Sequence, residues 1–154
     1  MIPDIEHKVE EIGVFFESTG LTPMEARVFT YLLLSDPPEQ DFFTIKDFLG
    51  ASKSTVSNAL KHLQSEGRID YITKPGDRKR YFRVSSSKWL EAIQSRFSNM
   101  SPFVTTMNKV LELRKNNSSE HFDQELRSVT SYFEYLEREL PRVVANWEQQ
   151  RVGV

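Results

Sequence analysis

The sequence contains no cysteine. Disulfide staples, thiolate zinc sites, thiol redox sensing and cysteine nucleophiles are excluded together, and a reducing cytoplasm is the expected compartment. Long apolar runs are missing as well. The longest strongly apolar stretch, Val28 to Leu34, falls far short of the roughly 20 residues that cross a bilayer. The N-terminus, Met-Ile-Pro-Asp-Ile-Glu, lacks the basic start and apolar run of a signal peptide, so no membrane partner is expected. No phosphate-binding glycine loop, Gly-x-Ser-x-Gly, His-Glu-x-x-His or dinucleotide fingerprint occurs, and an enzyme is not expected. His7, His62 and His121 are scattered, with no pair at metal-ligand spacing. Neither a metal nor a cofactor is therefore expected.

Nor is there an excess of one sign of charge. Twenty Lys and Arg stand against 22 Asp and Glu in 154 residues, a net charge of −2. The distribution is uneven, however. Thr44 to Val84 holds nine Lys/Arg and four Asp/Glu, a local balance of +5 that leaves −7 for the rest. A basic segment in an acidic chain is the footprint of contact with nucleic acid.

Periodicity divides the chain into three expected parts: residues 1–20, 21–87 and 88–154. In the first, Ile5, Val9, Ile12 and Phe16 share one helix face, and Gly20 stops the helix. In the second, Thr22-Pro23-Met24-Glu25 is a capping box with proline at the first helical position. The helix it starts ends at Asp36-Pro37-Pro38. A loop, a brief helix over Thr44 to Leu49 and a helix from the Ser52 cap to Gly67 follow. Two strand-like runs, Ile69 to Lys74 and Lys79 to Val84, flank the turn Pro75-Gly76-Asp77-Arg78. In the third, Leu90, Ile93, Phe97, Met100, Val104, Met107 and Leu111 repeat at spacings of three and four, and Pro102 should kink or split that helix. After the polar loop Arg114 to Ser119, a stripe from Phe122 to Trp147 keeps heptad rhythm, with Pro141 expected to interrupt it.

The stretch Thr44 to Leu63 carries the function. Ile45, Phe48 and Leu49 line one short helix, Ala51 fills a turn, and Val56, Ala59, Leu60 and Leu63 line the next. Gly50 supplies the turn's unusual backbone angles. This is a helix-turn-helix written as packing. The second helix then exposes Lys53, Ser54, Thr55, Ser57, Asn58 and Lys61. Short polar side chains let a helix approach base edges closely, and asparagine bonds adenine in bidentate fashion. Ser54, Thr55 and Asn58 are the expected base readers. Ser52, Lys53, Ser57 and Lys61 are expected at phosphates or the flank of the recognition helix. Lys74, Gly76, Arg78, Lys79 and Arg80 form a basic wing, with Arg83 close behind. Each feature has a plainer reading, as a solvated helix face or a hairpin charged for solubility; their order and continuity favour double-stranded DNA. The alternative is a winged helix that contacts proteins.

The stretch from Gly20 to Val84 resembles the winged helix-turn-helix of the MarR superfamily. Leu21-Thr22-Pro23 with Arg27, Ser52-Lys53-Ser54-Thr55-Val56-Ser57 and Gly76-Asp77-Arg78-Lys79 are especially similar to its GbsR-like branch. The resemblance implies a mainly α fold with a small β-hairpin, terminal dimerisation helices, and a homodimeric repressor on a pseudo-palindromic operator. The family's wing carries Asp-x-Arg; here Lys79 takes the arginine's place, leaving Arg80 as the expected partner of Asp77. The resemblance also implies a small-molecule effector. Trp89, Phe97 and Tyr132, with Phe103, Tyr135 and Trp147, are residue types that build aromatic cages for quaternary ammonium groups. Aromatics at helical spacing are more often plain core, and no pattern here selects a ligand.

Overall fold

The computed structural model describes residues 4–98, 100–116 and 119–152. The chain is mostly helical, with one small antiparallel sheet. It forms two compact units that divide between Ala92 and Ile93.

The first unit opens with α1 (Ile5–Ser18), whose Val9 and Phe16 are buried. α2 (Pro23–Leu34) starts at the expected capping box. The Thr22 hydroxyl accepts from the Glu25 N–H at 3.4 Å, and the Glu25 carboxylate accepts from the Thr22 N–H at 2.9 Å. Both orphan donors are thereby satisfied at the helix start. Arg27 then fastens α1 to α2, donating to Glu10 at 3.0 Å and pairing with Glu17. Gly13 makes room for it, since a Cβ there would lie 3.0 Å from the arginine's Cδ.

Next come β1 (Gln40–Asp41), α3 (Phe42–Leu49), α4 (Lys53–Ser65), β2 (Ile69–Thr73) and β3 (Arg80–Val84). The sheet order is β1-β3-β2. Gln40 lies opposite Phe82 and Asp41 opposite Tyr81, while Ile69 faces Val84 and Thr73 faces Arg80. β1 falls in what the sequence reads as a loop, because two residues carry no periodicity. α3 also begins two residues earlier than expected, with Asp41 as its cap. The core between helices and sheet is built from Phe29, Leu32, Ile45, Val56, Leu63 and Ile69, each at most 2% exposed.

One buried group in this core is unsatisfied. Thr30 is fully buried, and its hydroxyl has no hydrogen-bond partner among the described residues. Valine has nearly the same shape without the hydroxyl. Thr30→Val is therefore expected to stabilise the first unit by about 1 kcal/mol, read as a higher urea midpoint at unchanged slope. A loss of stability would show that the hydroxyl is satisfied in solution.

α5 (Ser86–Ser98) leads from the first unit into the second, which contains α6 (Ser101–Leu113) and α7 (Glu120–Val152). Pro102 lies in the first turn of α6, so the expected split occurs there. Pro141 does not interrupt its helix: α7 continues through it for 33 residues. The proline removes one N–H from the ladder, and the intact turns on both sides carry the helix across. Asn117 and Ser118 of the polar loop lie outside the described residues. α6 and α7 pack through Val104 and a Phe103–Phe133 contact at 4.2 Å between ring centroids. Arg114 and Asp123 join the two helix ends at 2.5 Å, with Asp123 buried.

Candidate nucleic-acid interface

α4 is held at its N-terminus by Ser52, whose hydroxyl accepts from the Thr55 N–H at 3.2 Å. That hydroxyl also lies 3.0 Å from the Ser54 and 2.8 Å from the Thr55 hydroxyl. Ser52 is thus a structural cap that organises the two short polar side chains beside it. Gly50 ends α3 with φ of 58°, the left-handed region where a Cβ is strained, and so sets the angle at which α4 leaves. Val56, Ala59, Leu60 and Leu63 are buried, while Ser52, Lys53, Ser54, Thr55, Asn58 and Lys61 are exposed and Ser57 is half-buried. Spacings of four and three place Ser54, Asn58 and Lys61 on one outward line, opposite the buried stripe.

Two aromatic contacts escaped the sequence reading. Phe43, half-exposed at the start of α3, lies under the Lys53 ammonium, 5.7 Å from its ring centroid. Glu25, already engaged in its capping box, also receives His62 of α4 at 3.0 Å, and buried Arg68 lies 5.7 Å from the Phe29 centroid. Burial lowers the pKa of the Arg68 guanidinium, and the Glu25 carboxylate opposes that shift. The Thr-x-x-Glu pattern gave one role of Glu25; nothing in the sequence signalled the second.

At the wing, Asp77 does not pair with Arg80. Its carboxylate accepts from the Tyr81 hydroxyl at 2.6 Å and from the Lys79 N–H at 2.9 Å. Arg80 and Tyr81 are consecutive in β3 and project to opposite faces. Arg80 instead covers the Tyr71 ring at 4.6 Å, while the Lys74 ammonium sits 4.1 Å from the Tyr81 ring. The Tyr81 hydrogen bond, then the Lys79 N–H, hold the Asp77 carboxyl below the ordinary carboxylate range; the same bond raises the Tyr81 phenol. This clasp is complete at neutral pH and is lost as pH falls through the lowered pKa of Asp77.

β1 reaches the wing through charge. Glu39 pairs with Lys74 at 3.3 Å and Asp41 with Lys79 at 3.4 Å. Partial burial opposes ionisation of Asp41, but hydrogen bonds from the Thr44 hydroxyl and the Thr44 and Phe43 N–H groups outweigh it and lower its pKa. Arg83 is not at the wing tip, since it pairs across the hairpin with Asp70 at 2.9 Å. Lys46 pairs with Asp47. Of the exposed cations between Thr44 and Val84, those without a carboxylate partner among the described residues are Lys53, Lys61, Arg78 and Arg80. All four lie on α4 or the wing.

The aromatic residues singled out for a ligand fall in both units. Trp89 belongs to the first unit's core, edge-on to Phe29 at 5.0 Å. Phe97 and Tyr132 belong to the second unit, where both are exposed. A cavity of about 260 Å³ lies elsewhere in the first unit, lined by Ile5, Tyr31, Leu34, Asp36, Gln40 and Phe48 among others.

Residues 19–80 match the MarR family, and residues 88–150 match the MmpR5-like MarR family transcriptional regulators. Over 98 residues the chain is 33% identical to the HTH-type transcriptional regulator MmpR5 of Mycobacterium tuberculosis. That alignment covers 64% of this chain and 59% of the relative, so the chain spans less than two thirds of its length. A crystal structure described as a transcriptional regulator superposes with a TM-score of 0.73 at 26% identity, covering 96% of this chain and 99% of that one.

Proposed function

Because residues 19–80 and 88–150 each match models of the MarR family, we propose that the chain is a winged-helix regulator of that family, which binds double-stranded DNA as a homodimer and represses transcription from a pseudo-palindromic operator. The observation that carries this reading is the placement of the four exposed cations that have no carboxylate partner among the described residues, Lys53, Lys61, Arg78 and Arg80. Phosphates supply the missing counter-charge. Between the cations, Ser54, Thr55 and Asn58 are at the height of the base edges in the major groove, and the wing reaches the flanking backbone. The similarity to transcriptional regulators supports a role without catalysis, performed in the cytoplasm.

Dimerisation is supported by apolar surface that one chain leaves uncovered. Leu113, Tyr132, Tyr135 and Val143 of the second unit are each more than half exposed, as are Val14 and Phe15 on the outer face of α1. A second protomer covers such surface and sets two α4 helices about 34 Å apart on successive turns of the duplex. Repression then follows from occupancy of the promoter, and release from a small molecule that moves the two wing modules apart. Within the family, the motifs around Thr22, Ser52 and Gly76 support a GbsR-like DNA-binding half.

Selection from a random duplex pool, with the mass of the selected complex determined, tests the proposal. An enriched inverted repeat bound by two chains is expected. Absence of binding even at low salt would overturn it. Arg78→Ala is expected to weaken binding to all sequences alike and to reduce the salt slope by about 1 per protomer. An unchanged slope would remove Arg78 from the phosphate contacts.

A further inference from the structure

Lys74 and Lys79 differ from the other wing cations in being already paired. Their partners, Glu39 and Asp41, stand on or beside β1, which is bonded to β3 along the wing's edge. Both carboxylates are mostly covered, at 24% and 13% side-chain exposure, while the lysines are about half exposed. The acids are thus the covered members of each pair and the lysines the members open to solvent. Asp41 is further immobilised by capping α3 through the Phe43 and Thr44 N–H groups. With the lysine half exposed to solvent, a pair of this kind is worth on the order of 1 kcal/mol, which a DNA phosphate can match.

We propose that Glu39 and Asp41 act as built-in phosphate mimics that occupy Lys74 and Lys79 and so limit the protein's affinity for DNA. This rests on the DNA-binding reading above. Each phosphate that reaches one of these lysines must displace a carboxylate that stays beside it. The net gain per contact is therefore small, and two of the wing's cations contribute less to binding than their charge implies. The wing's grip falls instead to Arg78 and Arg80, which have no carboxylate partner among the described residues. Such a restraint keeps a regulator exchangeable, because the protein itself supplies the competitor when DNA leaves.

The test uses the full chain with Glu39→Gln, Asp41→Asn and the double variant. Asparagine retains the capping role at position 41, and position 39 lies outside the cap. Equilibrium binding to a random-sequence duplex is measured from low to high salt. Each neutralisation is expected to raise affinity about threefold at low salt, and the salt slope should steepen by about 0.9 for each lysine released to a phosphate. If the parent binds but the variants show the same affinity and slope, the mimic role is overturned while DNA binding stands. If parent and variants alike fail to bind, both readings fall. Weaker binding by folded Glu39→Gln would also overturn the proposal, showing that the pair positions the wing for DNA instead.

Discussion

Phe29→Ala is expected to destabilise the first unit by about 3–5 kcal/mol, read from urea unfolding. Phe29 is fully buried near the centre of the core. Its ring meets Phe16 of α1 edge-on at 4.9 Å and Trp89 of α5 edge-on at 5.0 Å. The guanidinium of Arg68, at the turn into β2, lies 5.7 Å from its centroid. One side chain of α2 thus joins the helix before it, the turn after α4 and the helix that leaves the unit. Truncation removes the transfer energy of the ring and leaves a cavity among three elements whose backbones cannot all close in. It also exposes the buried Arg68 to a void in place of an aromatic face. Phe29→Leu retains more volume and should cost distinctly less, so the pair of variants separates ring contacts from lost volume. A loss below about 1 kcal/mol for the alanine variant would mean that the core collapses onto the gap.

Asn58→Ala is expected to leave stability unchanged and to weaken operator binding by about 1–3 kcal/mol, roughly 5-fold to 150-fold. The side chain is exposed at the middle of α4's outward line and has no hydrogen-bond partner among the described residues. Alanine is the better helix former, so the helix itself does not suffer. The loss should be confined to one base position in each half-site, where the bidentate amide no longer distinguishes adenine. Competition with duplexes substituted one position at a time reads this directly. An equal loss on every sequence would show that Asn58 serves the backbone rather than a base.

The helix-turn-helix was legible because its signals are local. The Thr22-Pro23-x-Glu25 box, the Ser52 cap, Gly50 and the apolar spacing from Ile45 to Leu63 each act within one or two turns of chain. All of them appear at the expected places. Pro102 was legible for the same reason, since a proline near a helix start fits and one in the interior does not. Pro141 shows the limit of that rule. The same ring is tolerated inside α7, where one missing hydrogen bond is outweighed by the turns around it.

The sequence by itself determined the recognition helix and the hairpin that follows it, the buried stripe of α4 and therefore its polar outward face, because helical periodicity leaves those residues nowhere else to point. It also determined that positive charge gathers between Thr44 and Val84. Only the tertiary structure decided which of those charges are unpaired. Asp41 and Lys79 are 38 positions apart, and Glu39 and Lys74 are nearly as distant, so no local pattern joins them. β1 brings them together by pairing with β3, a contact between two residues of one strand and a hairpin formed much later in the chain. Arg78 and Arg80 have no carboxylate partner among the described residues, and Asp77 is taken by Tyr81 four positions on. Charge is a property of composition, but its availability depends on what the fold places within 4 Å of it.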